Sequence, residues 1–175
     1  LSLEEFKNHY VKKGIPVVST ASANRWTDDV PMIIPEINHE HLKIIDIQKK
    51  NRNIKGFVAV KPNCSLQSYL TPIFALEKAG YKIDKMIITT LQAVSGAGYP
   101  GVPSLDMIGN VVPFIGGEDE KSEKEPSKIL GKISNGKIVN DESIKISATC
   151  TRVPVVDGHT AVVSISFKNK KPSID

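Results

Sequence analysis

Apolar residues recur at helical spacing in the first segment, LSLEEFKNHYVKKG, where Leu3, Phe6, Tyr10 and Val11 share a face and Gly14 supplies a stop. Two short apolar runs follow, GIPVVST and GFVAV at 56–60, separated by the polar, helix-like stretch HLKIIDIQKKNRN. This alternation predicts the later part of an α/β domain. From Lys61 the texture changes. A helix over about Ser65 to Gly80 carries Leu66, Tyr69, Leu70, Ile73 and Phe74 on its apolar positions, and the β-branched run KMIITTLQAVS follows it. Next comes the Gly/Pro-rich loop SGAGYPGVPS, of a length that is uncommon without a function. The charged stretch GGEDEKSEKEPSKIL predicts an exposed helix, and SIKISATCTRVPV and HTAVVSISF read as alternating strands joined hairpin-like across VVDGH. These elements predict a mixed α+β second unit. Ser173 after Pro172 has the context of a helix N-cap, and with no initial Met the chain reads as an internal stretch of a longer protein.

Composition narrows the class. At 175 residues, 40% apolar and 24% charged, the chain has the makeup of an ordinary folded protein rather than a disordered, collagen-like or coiled-coil one. The net charge of +4 suits a nucleic acid or a phosphorylated small molecule. The lysines are scattered among acids and aromatics make up only 6%, so no stacking platform supports nucleic acid as a partner. Two cysteines allow at most one disulfide, which fits a reducing, cytoplasmic setting. No apolar run approaches the roughly 18 residues of a membrane helix. No internal repeat or low-complexity tract is present.

Chemistry concentrates at a few positions. Cys64 stands just before an amphipathic helix, where unpaired N–H groups favour an anionic sulfur, the usual way a reactive cysteine is made. The alternative is an inert, buried cysteine. Cys150, in the middle of an alternating strand, reads as core. His159 follows the turn Asp157-Gly158, seven residues after Arg152, so the two can reach the same end of a sheet, where a histidine beside a thiol can exchange its proton. A solvated turn histidine is the competing reading. His9, His39 and His41 read as solvated, and with no pair of CxxC motifs metal binding is not expected. SGAG at 95–98 serves either a turn or close approach to a phosphate or nicotinamide. GxxxxGK[ST] does not occur, and the one GxGxxG spacing, Gly96 to Gly101, lies in a Pro-containing loop with no helix pattern opening directly after it, so a main phosphate loop is expected outside this chain.

The segments STASANRWTDDVPMIIPEIN, KPNCS, TTLQAVSGAGYPGVPSLD, PFIGGEDEK and TRVPVVDGH, in this order, resemble the archaeal and fungal branch of the aspartate-β-semialdehyde dehydrogenase family. The resemblance runs over essentially the whole chain. It implies the end of a Rossmann-like NADP-binding domain over 1–63, followed over 64–175 by an incomplete mixed-sheet catalytic and dimerisation domain. It further implies Cys64 as the nucleophile that forms a thioacyl intermediate, Gln92 as the group orienting it, and His159 as acid/base. Arg152 would grip the substrate carboxylate, Glu118 and Lys121 the substrate amino group and phosphate, and Arg25 the phosphate again. Asn63, with Glu118 and Lys121, favours an amino-acid substrate, and Ser95, Gly96 and Gly98 border the cofactor. The one departure is Ser-Leu-Gln after Cys64, where the family pattern has a small pair and then an apolar residue. The implied reaction is NADPH-dependent reductive dephosphorylation of β-aspartyl phosphate to the semialdehyde, by a homodimer or homotetramer. The alternatives are a malonyl-CoA reductase using the same cysteine, or a structural dimerisation module without activity of its own.

Overall fold

The computed structural model describes residues 3–173. Leu1, Ser2, Ile174 and Asp175 lie outside the described residues, as do the helix expected beyond Ser173 and the side chains of Leu3 and Phe6. Contacts divide the chain into two units, Leu1–Pro62 with Ser127–Asp141 and Asn63–Pro126 with Glu142–Asp175.

In the first unit, α1 (Leu3–Lys12) ends before Gly14, whose φ of +89° takes the left-handed turn that glycine allows. Strand β1 (Val17–Ser19) pairs in parallel with β2 (Val58–Val60), in the register Val17↔Val58. The crossover between them runs through α2 (Pro35–Asn38), a 3-10 turn over His39–Ile44, and α3 (Ile45–Arg52), as a parallel pair requires. All of β2 is buried, with Val30, Met32, Ile34, Ile37 and Ile44 in the same core. Gln48 of α3, fully buried, accepts the Val58 N–H at 2.7 Å and donates to the carbonyls of Val58 and Asp29, closing groups that would otherwise be orphaned. Strands β4 (Lys132–Ser134) and β5 (Lys137–Val139) form a hairpin around Asn135-Gly136, both residues at positive φ.

His41 departs from the solvated reading, since only 4% of it is exposed. Its Nδ1 takes the Asn38 Nδ2 donor at 3.1 Å, which leaves the Nε2 proton to be donated to the Gly131 carbonyl at 2.9 Å. Burial is the main cause of a pKa below the ordinary 6.5, and the carbonyl of Gly131 only partly counters it. The folded state therefore binds this proton less readily than the unfolded chain. The corresponding stability is complete above the unfolded value and is lost as pH falls through the folded one. Thermal unfolding between pH 7.5 and 5.5 is expected to show a larger fall in Tm for the wild type than for His41→Gln, and parallel profiles would refute the assignment.

In the second unit, α4 (Leu66–Lys78) buries Leu66, Tyr69, Leu70 and Ile73. Strand β3 (Ile83–Gln92) is central in a sheet of order β6-β3-β7, with β6 (Lys145–Arg152) parallel to it and β7 (His159–Phe167) antiparallel. Both strands read from the alternation are present, but they do not pair as a hairpin. The longer β3 lies between them and uses both of its edges. The Gly/Pro-rich loop holds a 3-10 turn over Val94–Ala97 and the short α5 (Ser104–Met107).

Helix α6 (Glu118–Ile129) forms where the charged stretch predicts it, yet Ser122, Glu125, Pro126, Lys128 and Ile129 are buried rather than exposed. Its acids are consumed by backbone donors. Asp119 accepts the Cys150 N–H at 2.7 Å and Glu123 the Ala148 N–H at 3.0 Å, so α6 satisfies N–H groups of β6 that β3 does not pair. Tyr69 of α4 donates its hydroxyl to the Ser122 carbonyl at 3.3 Å. Cys150 is fully buried as expected, and its burial chiefly raises the thiol pKa. Among the described residues no helix is long and apolar enough to cross a membrane, and no group of three or more His, Cys, Asp or Glu could hold a metal ion.

Candidate active site

Pro62, Asn63, Cys64 and Ser65 lead into α4. The N-cap residue Ser65 makes no capping bond with its own side chain. Instead Asn63 Oδ1 accepts the Ser65 N–H at 2.8 Å and the Ser65 hydroxyl at 3.0 Å, an Asx-type turn that rounds off the helix start. Asn63 and Ser65 are buried while Cys64 between them is exposed, so this turn presents the thiol outward. His159, the first residue of β7, places Nε2 3.2 Å from Cys64 Sγ. Its Nδ1 accepts the Ala93 N–H at 3.0 Å, which in the neutral ring leaves the proton on Nε2, facing the sulfur.

Register explains why the histidine and arginine meet although β6 and β7 do not pair. Gln92 ends β3 opposite Arg152 on one side and His159 on the other, so the three form one row across the sheet end. Arg152 is 5% exposed and donates from Nη1 to the Ala93 carbonyl at 2.8 Å and to Gln92 Oε1 at 3.5 Å. Gln92 Nε2 donates to Thr90 Oγ1 at 3.2 Å and to Glu118 Oε2 at 3.5 Å. Glu118 also accepts Asn63 Nδ2 and Lys121 Nζ, each at 2.6 Å. Burial alone would raise the Glu118 pKa, but the bonds from Lys121, Asn63 and Gln92 and the lysine charge outweigh it and hold the carboxyl below its ordinary value. The second unit thus brings together Cys64, Asn63, Gln92, Glu118, Lys121, Arg152 and His159.

A cavity of ≈ 350 Å³ opens over the thiol, lined by Cys64, Ser68, Ser95, Gly96, Gly158 and His159. This volume lies within the range of small-molecule sites. Ser68 and Gly158 were not singled out by motif, although Ser68 stands one helical turn after the thiol and spacing alone would have reached it. At Gly96 a Cβ would fall 2.8 Å from Arg152 Nη1 and 2.9 Å from His159 Cε1, so only glycine lets the main chain close against both. Ser95 and Gly96 line the cavity beside the thiol. Gly98 does not line this cavity. It has φ +69° with nothing within 4 Å of an added Cβ, the geometry of a turn.

Arg25 belongs to the first unit and is 7% exposed, its Nε donating to the Lys61 carbonyl at 3.1 Å and its Nη2 to that of Thr20 at 3.0 Å. Lys128 Nζ donates to the carbonyls of Arg25 at 2.6 Å and Thr27 at 2.8 Å, fixing the backbone that carries this guanidinium. Burial, only partly offset by Asp28 and Asp29, lowers the Lys128 pKa to about 8.

Residues 70–175 match the family model described as "Semialdehyde dehydrogenase, dimerisation domain", and residues 2–45 match "Semialdehyde dehydrogenase, NAD binding domain". The chain belongs to the semialdehyde dehydrogenase family. Its relatives carry a more particular name. It is 47% identical over 163 residues to an aspartate-semialdehyde dehydrogenase of Archaeoglobus fulgidus, covering 93% of this chain and 47% of that protein. It is 44% identical over 173 residues to one of Cryptococcus neoformans, covering 96% and 47%. The chain therefore spans about half the length of the curated relatives it matches. The crystal structure of aspartate semialdehyde dehydrogenase with NADP from Candida albicans aligns with a TM-score of 0.82 at 36% identity, over 97% of this chain and 49% of that one.

Proposed function

We propose that this chain carries the catalytic centre of an aspartate-semialdehyde dehydrogenase, which reductively dephosphorylates β-aspartyl phosphate with NADPH. The observation that carries the reading is the 3.2 Å approach of His159 Nε2 to Cys64 Sγ, at the end of the Arg152–Gln92–His159 row. The anionic sulfur attacks the acyl carbon, the C–O bond to phosphate breaks, and a thioester forms on Cys64. NADP, when bound, supplies the hydride chemistry. As the C–S bond then breaks, the electron pair returns to sulfur, where the Nε2 proton stabilises it. A guanidinium is the natural partner of the substrate carboxylate, which gives Arg152 its role, and Lys121 suits phosphate. Glu118 meets the substrate amino group, which an acyl-CoA lacks.

Residues 1–63 would serve the cofactor and 64–175 catalysis and dimerisation, in a homodimer or homotetramer. The reaction places the protein in lysine, methionine and threonine synthesis in the cytoplasm. The test is the reduction of NADP by aspartate semialdehyde in the full-length protein, run beside malonyl-CoA with NADPH. Turnover that depends on phosphate is expected. Turnover with malonyl-CoA alone would move the chain to the sister reductase and overturn the roles given to Glu118 and Lys121.

A further inference from the structure

The residue before the nucleophile is held by two carboxylates, and the reaction just described uses only one of them. Glu118 takes the Asn63 side-chain amide at 2.6 Å. Glu125, with none of its surface exposed, takes the Asn63 backbone N–H, also at 2.6 Å. The two acids are seven residues apart on α6, two helical turns, and so lie along one face about 10 Å apart. The bond from Tyr69 to Ser122, which lies between them in sequence, ties that helix to α4, the helix into which Cys64 leads. Asn63 is thus fixed through its backbone N–H, its amide donor and its amide acceptor. Burying a carboxyl is costly, and such a group is retained where its hydrogen bond sets a geometry.

We propose that Glu125 is a positioning residue for Cys64: by accepting the Asn63 N–H it sets the height of the nucleophile turn and keeps the sulfur within reach of His159. The inference rests on Cys64 being the nucleophile. It does not depend on which substrate is turned over.

The test compares Glu125→Met, Glu125→Gln and His159→Asn in the full-length protein. The rate at which iodoacetamide alkylates Cys64 is followed against pH by peptide mapping, and His159→Asn defines the profile of a thiol without its partner. Glu125→Met keeps the bulk but removes the acceptor, so its profile is expected to move toward that of His159→Asn. Its kcat should fall about 10- to 100-fold, as with other groups that orient a reacting ligand, while KM for the semialdehyde and for phosphate stays within about threefold. Glu125→Gln, whose amide oxygen can still accept, should return the profile and most of kcat. A Met variant whose profile overlays the wild type, or a Gln variant no better than Met, overturns the proposal. Should the Met variant not fold, Glu125→Asp decides, because it keeps the carboxyl and withdraws it from Asn63. An unchanged profile and kcat there would likewise overturn it. If the wild type turns over neither substrate, the dehydrogenase reading fails while the alkylation profiles still decide the role of Glu125.

Discussion

Replacing Cys64 with alanine is expected to lower kcat by roughly 10⁵- to 10⁶-fold, the scale seen when a covalent nucleophile is removed from a preformed site. The fold should hardly register the change. Cys64 is exposed, and the bonds that shape its turn come from Asn63 and Ser65 rather than from the thiol. Exposed substitutions of this kind stay within about 0.5 kcal/mol, so Tm should move by no more than about 2 °C. Cys150→Ala is the matched control with the opposite signature. That thiol is fully buried against Ser122 and lines no part of the cavity, so its loss should lower Tm and spare turnover per folded molecule. Activity of the Cys64 variant above about 1% of wild type would remove this residue from the chemistry.

The two cysteines also show what the sequence could disclose. Alternation places Cys150 in a strand interior, and the amphipathic helix after Cys64 places that thiol at a turn, because both arguments need only local periodicity. Pairing partners are not local. The strands β6 and β7 are legible one by one, but their connection through VVDGH looks like a hairpin only until the longer, more buried β3 is inserted between them. The meeting of Arg152 and His159 survives that correction because both are in register with Gln92. One true hairpin carried a usable signal, since Asn135-Gly136 between KIS and KIV has the composition that the positive φ values demand.

Helix α6 was legible as a helix and illegible as a surface. Its composition is that of a solvated face, and hydropathy carries no trace of the backbone amides on β6 and at Asn63 that its acids satisfy. His41 misleads in the same way, because a polar neighbourhood in sequence conceals a carbonyl 90 residues away. Cys64 and His159 stand out from their local context and the other proposed site residues from motif resemblance, whereas nothing local marks Glu125, whose bond to Asn63 spans 62 positions of the chain.

His159 is expected to work as a proton donor toward sulfur in the resting site, and its substitution by asparagine should lower kcat by about 10²- to 10⁴-fold, the usual worth of a positioned acid or base. The argument is one of hydrogen-bond direction. A backbone N–H can only donate, so the Ala93 amide at 3.0 Å requires a lone pair on Nδ1 and leaves the ring proton at Nε2, 3.2 Å from Sγ. Arg152 fixes the same stretch from the other side through the Ala93 carbonyl, and Gly96 closes over the ring. Nitrogen NMR of the ¹⁵N-histidine-labelled full-length protein at pH 8.5 reads the tautomer directly. Nε2 should carry a bonded proton and Nδ1 should not, and the reverse pattern would contradict the donor role. Gly96→Ala tests the same ring by position, because its methyl group would meet Cε1 at 2.9 Å and Nε2 at 3.1 Å. Displacing the imidazole in this way should cost about 10- to 100-fold in kcat while Cys64 itself stays in place, and an alanine variant with wild-type turnover would show that the proton on Nε2 need not be held where the structure holds it.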